Sequence, residues 1–148
     1  MALKFGLNAK AYYNNGTYDV PAWVEMSNCQ DVTLNLEKTS SNVTTRGAGG
    51  WELNAAVLKK ATVDFKMMWD TEDASFTKVS DAYFNNNSIE FAFMDGDISV
   101  AGAKGLRATM DVFTFNRNEP LTEAMTVDVN VMPTYSADHA PAWYTVSS

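Results

Sequence analysis

Strict alternation of apolar and polar residues runs through much of the chain. In VTLNLE, Val32, Leu34 and Leu36 fall on one side of an extended backbone, and Thr33, Asn35 and Glu37 on the other. VDFKMMW repeats the pattern with Val63, Phe65, Met67 and Trp69, and MTVDVNVM with Met125, Val127, Val129 and Val131. Side chains along a strand point to opposite faces with a period of two, so each run predicts a half-buried β-strand. The second face of MTVDVNVM carries Thr126, Asp128, Asn130 and Met132, and this polar face must meet water or a partner. SIEFAFM, ISV and LRATMDVFTF read as further strands. In the last of these the apolar phase shifts from Ala108, Met110 and Val112 to Phe113 and Phe115, which predicts a bulge or a strand buried on both faces. Asn14-Asn15-Gly16 and Asp95-Gly96 offer the positive-φ residues of tight hairpins. Pro120, after Asn118 and Glu119, ends pairing because it cannot donate a ladder hydrogen bond.

Two segments break this rhythm. Phe76, Val79 and Tyr83 recur at three and four residues with Ala82 beside them, so residues 71–86 predict one helix with a single apolar stripe to lay against a sheet. Asp70 or Thr71 is suited to cap it, Glu72 and Asp73 suit the positive end of its dipole, and Asn85, Asn86 and Asn87 end it. Residues 38–51, KTSSNVTTRGAGGW, are polar and glycine-bearing yet lie between convincing strands. They predict a long loop or hairpin arm that projects from the body and becomes ordered when a partner packs on it. Neither a repeat nor a second domain is visible, so residues 1–148 read as one domain.

Charge narrows the possible functions. The 18 acids and 11 bases give a net charge of −7 with no block of like sign. Nucleic-acid binding needs a basic stripe that displaces counterions, so the chain is not expected to grip DNA, although an acidic surface suits DNA that must slide past. MALKFGLNAK lacks the apolar centre and cleavage site of a secretory leader, which makes Met1 the expected start of a cytoplasmically made protein. No run approaches the roughly 20 apolar residues that span a bilayer. Cys29 has no cysteine partner and is expected as a small half-buried side chain.

The candidate chemistry has bland explanations. Helix capping accounts for Asp70, Glu72 and Asp73, and the segment lacks the glycine and closing glutamate of a calcium loop. Asp95 and Asp97 read as a hairpin tip. His139 stands alone in SADHAPAW, without partners for zinc or for a Cys-His nucleophile, and is expected to be solvated. RGAGGW lacks the spacing of a phosphate loop. Trp23, Trp51 and Trp143 fall at element boundaries, where core plugs and subunit contacts are favoured over sugar platforms. No catalytic, cofactor-binding or metal-ligating residue is predicted, and the chain is not expected to be an enzyme.

The order of segments carries one further signal. DVTLNLEK is followed by the arm SNVTTRGAGGW, then by LKKATVDFKMMWDTEDASFTKVSDAYFNNNSIEFAFMDGD and FNRNEPLTEAMTVDVNVMPTYSADHAPAW. The combination of VTTR with a closing GW, the WDTED helix start, and the run from NRNEPLTEA to PTYS resembles the tail tube proteins of long-tailed bacteriophages. That resemblance implies a mainly β fold: a two-sheet β-sandwich with one flanking α-helix and a long projecting arm. It implies hexameric rings stacked into a tube around a tape measure protein, completed by tail tip or terminator proteins. Such a tube belongs to the virion tail, is assembled in the host bacterial cytoplasm without a membrane, and conducts the genome without binding it specifically. Asn42, Val43, Thr44, Thr45, Arg46 and Trp51 would then belong to the arm that reaches an adjoining ring or subunit, and Thr126, Asp128 and Asn130 would face the lumen. With roughly four strands from each of about six subunits, at ~4.8 Å per strand, the bore would be roughly 37 Å across its backbones, wide enough for a DNA duplex. Other readings are a ring protein of a secretion or injection tube and, further off, a jelly-roll carbohydrate-binding module.

Overall fold

The alternation read in the sequence becomes the centre of the sheet. In the computed structural model, which describes residues 3–137 and 139–147, β4 (Asn54–Met68) pairs antiparallel with β7 (Thr126–Pro133), matching Val63 to Val131, Phe65 to Val129 and Met67 to Val127. All six side chains are buried, each worth about 1.5–3 kcal/mol of burial. The expected start at Met1 lies outside the described residues.

The remaining strands are β1 (Lys10–Asn14), β2 (Trp23–Glu25), β3 (Cys29–Asn42), β5 (Ile89–Met94), β6 (Lys104–Asn118) and β8 (Ala142–Thr145). They form one antiparallel sheet in the order β2-β1-β5-β6-β7-β4-β3, with β8 also paired to β6. The long strand β6 joins two halves. Residues 105–110 pair with β5, and residues 110–118 pair with β7. Phe65 of β4 nevertheless meets Phe91 and Phe93 of β5, with ring centroids 6.3 and 5.9 Å apart, although those strands are not hydrogen-bonded neighbours. The sheet therefore folds over on itself, and its two halves enclose a core that includes Met67, Val79, Phe91 and Met110. Mainly β with one helix is the observed class. The expected pair of sheets takes the form of a single sheet, continuous through β6.

The phase shift in β6 is a bulge. Val112 opposes Val131 and Thr114 opposes Asn130, which leaves Phe113 as the extra, exposed residue. Phe115 thereby returns to the inner side, where it meets Trp69, Phe76 and Tyr83. The helix α1 (Ala74–Phe84) presents Phe76, Val79 and Ala82 to the core. Its cap is Asp73, whose side chain accepts from the Phe76 N–H, not Asp70 or Thr71. Asp70 instead closes its own turn by accepting from Glu72 N–H.

Three local expectations are corrected. Residues 98–100 form a turn, not a strand: Asp97 accepts from Ser99 N–H, and the Tyr12 hydroxyl accepts from Ile98 N–H. The connections after β1 and β5 are longer than two-residue hairpins. Asn14 Oδ1 organises the first by accepting from the N–H groups of Gly16 and Ala22, and a Cβ on Gly16 would sit 2.6 Å from the Val20 carbonyl. In β3 a bulge at Asp31, whose φ is 46°, turns Val32 out to solvent, so Val32, Leu34 and Leu36 do not share one buried face.

Candidate functional site

The outward side chains of β3, β4, β7 and β6 build one continuous polar face. Because Val127, Val129 and Val131 point inward, Thr126, Asp128 and Asn130 point out. The register then sets Asp128 beside Lys66 and Asn116, Asn130 beside Asp64 and Thr114, and Thr126 beside Asn118. Side-chain amides tie the strands together across this face. Asn130 Nδ2 donates to Asp64 Oδ1 at 2.6 Å, Asn35 Nδ2 to Asp64 Oδ2 at 3.2 Å, and Asn118 Nδ2 to Asp128 Oδ2 at 2.8 Å. Lys66 Nζ stands 4.0 Å from Asp128 Oδ1, a loose half-exposed pair of small energetic weight. The three candidate residues thus share a polar face held by amide-carboxylate bonds. A sheet with its second side in this state suits contact with water or a polar passage.

The arm is longer than the sequence implied. Beyond the pairing of Val63 with Val131, β4 pairs with no strand except β3 among the described residues, so residues 34–42 and 54–62 form a two-stranded ribbon roughly 30 Å long. Residues 38–42 belong to β3 and pair with β4, which shortens the connection to residues 43–53. Local bonds close the tip. Val43 N–H donates to the Leu53 carbonyl, Thr44 Oγ1 accepts from Leu53 N–H at 2.8 Å, and Asn42 Oδ1 accepts from Thr44 N–H. Thr45 caps a short 3-10 turn (Arg46–Ala48) through its position and not its side chain. Arg46 and Trp51 extend into solvent, Trp51 with 72% of its surface exposed. Leu36, Val57 and Leu58 are exposed along the ribbon as well.

A buried polar cluster on the far half of the sheet was not legible in the sequence. Arg107 of β6 donates to Glu90 Oε1 of β5 at 3.2 Å and to the Tyr18 carbonyl at 2.8 Å, and its guanidinium lies over the Tyr18 ring at 3.9 Å. Asn14 Nδ2 also donates to Glu90. His139 is not solvated as expected. Its Nε2 lies 2.9 Å from Glu90 Oε2 and 3.0 Å from Thr109 Oγ1, and its ring stacks on Tyr18 with centroids 3.9 Å apart. The cluster fastens the segment before β8 and the loop after β1 onto the sheet. Its one sequence signal was a pair of opposite charges, Glu90 and Arg107, inside otherwise apolar strands.

Cys29 is half-buried, with its thiol pushed up to about 12 chiefly by burial and secondarily by the nearby charge of Asp73, so it is a poor nucleophile. Among the described residues no group of three or more His, Cys, Asp or Glu is placed to hold a metal, and no helix is long and apolar enough to cross a membrane.

No family model matches the sequence, and no curated protein matches it. Solved structures do match the fold. The tail of an empty gene transfer agent particle, solved with helical refinement and C6 symmetry, superposes with a TM-score of 0.75 at 10% identity, over 97% of this chain and all of that one. The SPP1 tail tube also gives 0.75, at 9% identity, over 99% of this chain and 81% of that one. The anti-feeding prophage baseplate, 6-fold symmetrised, gives 0.61 at 6% identity over 99% and 98%. The chain therefore has the fold found in tail tubes.

Proposed function

We propose that the chain is a tail tube subunit, a non-enzymatic structural protein whose activity is self-assembly into stacked hexameric rings. The observation that carries the reading is the polar outer face of β3, β4, β7 and β6, on a fold shared with tail tubes. A tube wall needs a sheet with a core on one side and a hydrated passage on the other, and this face supplies the second. Asp64 and Asp128 give it negative charge, which repels a phosphate backbone and lets DNA slide. Thr126, Asp128 and Asn130 line the lumen in this reading.

The ribbon is the reaching arm. Asn42, Val43, Thr44, Thr45, Arg46 and Trp51 sit at or beside its tip, free of the body and available to a neighbouring subunit. The open edges β2 and β3 are completed by copies of the same chain, which removes the aggregation hazard of an exposed strand edge. A tape measure protein inside the tube and tip or terminator proteins at its ends are the accompanying partners. The tube belongs to the virion tail and assembles in the host bacterial cytoplasm.

A second reading is favoured by the likeness to the anti-feeding prophage baseplate: a ring protein of an injection apparatus. The higher TM-scores of the two tail structures support the tail tube reading over it. Multi-angle light scattering on the purified chain over rising concentration, with and without a nucleating tip protein, tests it. Growth from monomers to ring-sized and larger particles supports subunit self-assembly, and a chain that stays monomeric throughout refutes it.

A further inference from the structure

Two exposed features lie at opposite ends of β7. The first is the connection from β6 to β7, NEPLTE, where Leu121 has its whole side chain in solvent and is flanked by the exposed carboxylates of Glu119 and Glu123. The second is a groove of about 880 Å³ at the root of the ribbon, beside the far end of β7. Leu36, Ala61, Leu106 and Trp143 line it with apolar surface, Lys38 and Lys59 line it with positive charge on the same side of the ribbon as Leu36 and Ala61, and the register partners Glu37 and Lys60, one acid and one base, also border it. Seven residue steps of β7 separate the two, roughly 23 Å.

The lysines carry the argument. Lys38 and Lys59 are directly opposite each other across the ribbon, a like-charge pair that weakens a two-stranded sheet. Neither has a carboxylate partner among the described residues. Anions arriving from outside relieve the repulsion within such a pair. Glu123 likewise lacks a cation among the described residues, and Glu119 has only the exposed Arg117 at 3.2 Å. An apolar side chain between two acids fits an apolar groove that presents two amines.

We infer that the loop carrying Leu121 of one copy docks in the ribbon-root groove of the next, with Leu121 against Leu36 and Trp143 and with Glu119 and Glu123 facing Lys38 and Lys59. The inference rests on the tube reading and deepens it by naming both halves of one contact between subunits. Since loop and groove lie at opposite ends of the same strand, the contact is head-to-tail. A head-to-tail contact of this kind closes into a ring or runs on as a filament, and with its two halves at the ends of β7 it joins copies along the strand direction.

Charge reversal separates this contact from a merely structural role. Glu119→Lys with Glu123→Lys, and separately Lys38→Glu with Lys59→Glu, should leave folded chains by circular dichroism that assemble at least tenfold more slowly than the wild type by light scattering. The chain carrying all four substitutions should recover to within about threefold. Cross-linking gives a second reading in a Cys29→Ser background: a mixture of Leu121→Cys and Leu36→Cys chains should yield disulfide-linked dimers on oxidation, and neither chain alone should. Reversed chains that assemble at the wild-type rate, a fourfold variant that stays as slow as its parents, or a mixture that forms no dimers would overturn the docking while leaving the tube reading intact. A wild-type chain that forms no oligomer at all would overturn both.

Discussion

Glu90 and Arg107 face each other at 3.2 Å on adjacent strands with less than a tenth of either side chain exposed, and the pair sits on the side of the sheet opposite the main core. His139, Asn14 and Tyr18 converge on the same pair, so two separate chain segments, residues 14–18 and the stretch before β8, depend on it. Glu90→Ala would leave the buried guanidinium without its carboxylate. Breaking a buried pair from one side costs about 3–5 kcal/mol, more than the loss of one ordinary hydrogen bond. Urea unfolding should show a loss of that size, and Glu90→Gln, which keeps an acceptor oxygen, a smaller one.

The Cys29 thiol gives a pH dependence with a definite sign. Burial raises it from an ordinary 9.0 to about 12, so the folded state holds this proton more tightly than the unfolded chain does. The resulting stabilisation is complete below about pH 9 and is lost as pH climbs toward 12. Tyr12 and Tyr13, both raised first by burial, add to the same trend at higher pH. Stability measured by urea titration should therefore decline from about pH 9 upward, and Cys29→Ala should reduce the slope by up to about 1.4 kcal/mol per pH unit.

Deleting residues 42–49 removes the tip of the ribbon, which makes no contribution to the buried core. The shortened chain should keep the wild-type far-ultraviolet spectrum and melt within a few degrees of it. It should also fail to form tubes in negative-stain micrographs. Tubes of normal length after that deletion would remove the tip from the assembly mechanism.

The polar face can be made sticky without touching the core. Asp64→Lys with Asp128→Lys changes two outward side chains while Val63, Phe65, Val127 and Val129 stay in place. Assembled tubes of this variant should retain duplex DNA, with affinity falling linearly in the logarithm of salt concentration, whereas wild-type tubes should not. Equal retention by both would show that these residues do not face the passage.

Legibility followed burial. In β7 and in residues 63–68 of β4 one face is enclosed, so composition alternates cleanly and both stretches are readable, as is the bulge at Phe113, because inserting one residue moves every later side chain to the other face. β3 alternates as well, but Leu36 lies on a ribbon that has left the body and Val32 is turned out by the bulge at Asp31, so its pattern did not report burial. His139 was misread because its environment comes from Thr109, thirty residues away, and from Glu90 on another strand, pairings that local spacing does not encode. The candidates Thr126, Asp128 and Asn130 were found from period alone. Their partners Asp64, Asn35 and Asn118 needed the register of four strands.

In the proposed tube, copies of this chain close into six-membered rings with the Asp64 and Asp128 face inward. Cryo-electron microscopy of the concentrated purified chain addresses it directly. The account predicts hollow rods with sixfold cross-sections, a bore of roughly 37 Å between backbones, and β3, β4, β7 and β6 lining it. Rods whose bore is lined by another face, or a field of single particles at every concentration, would contradict it.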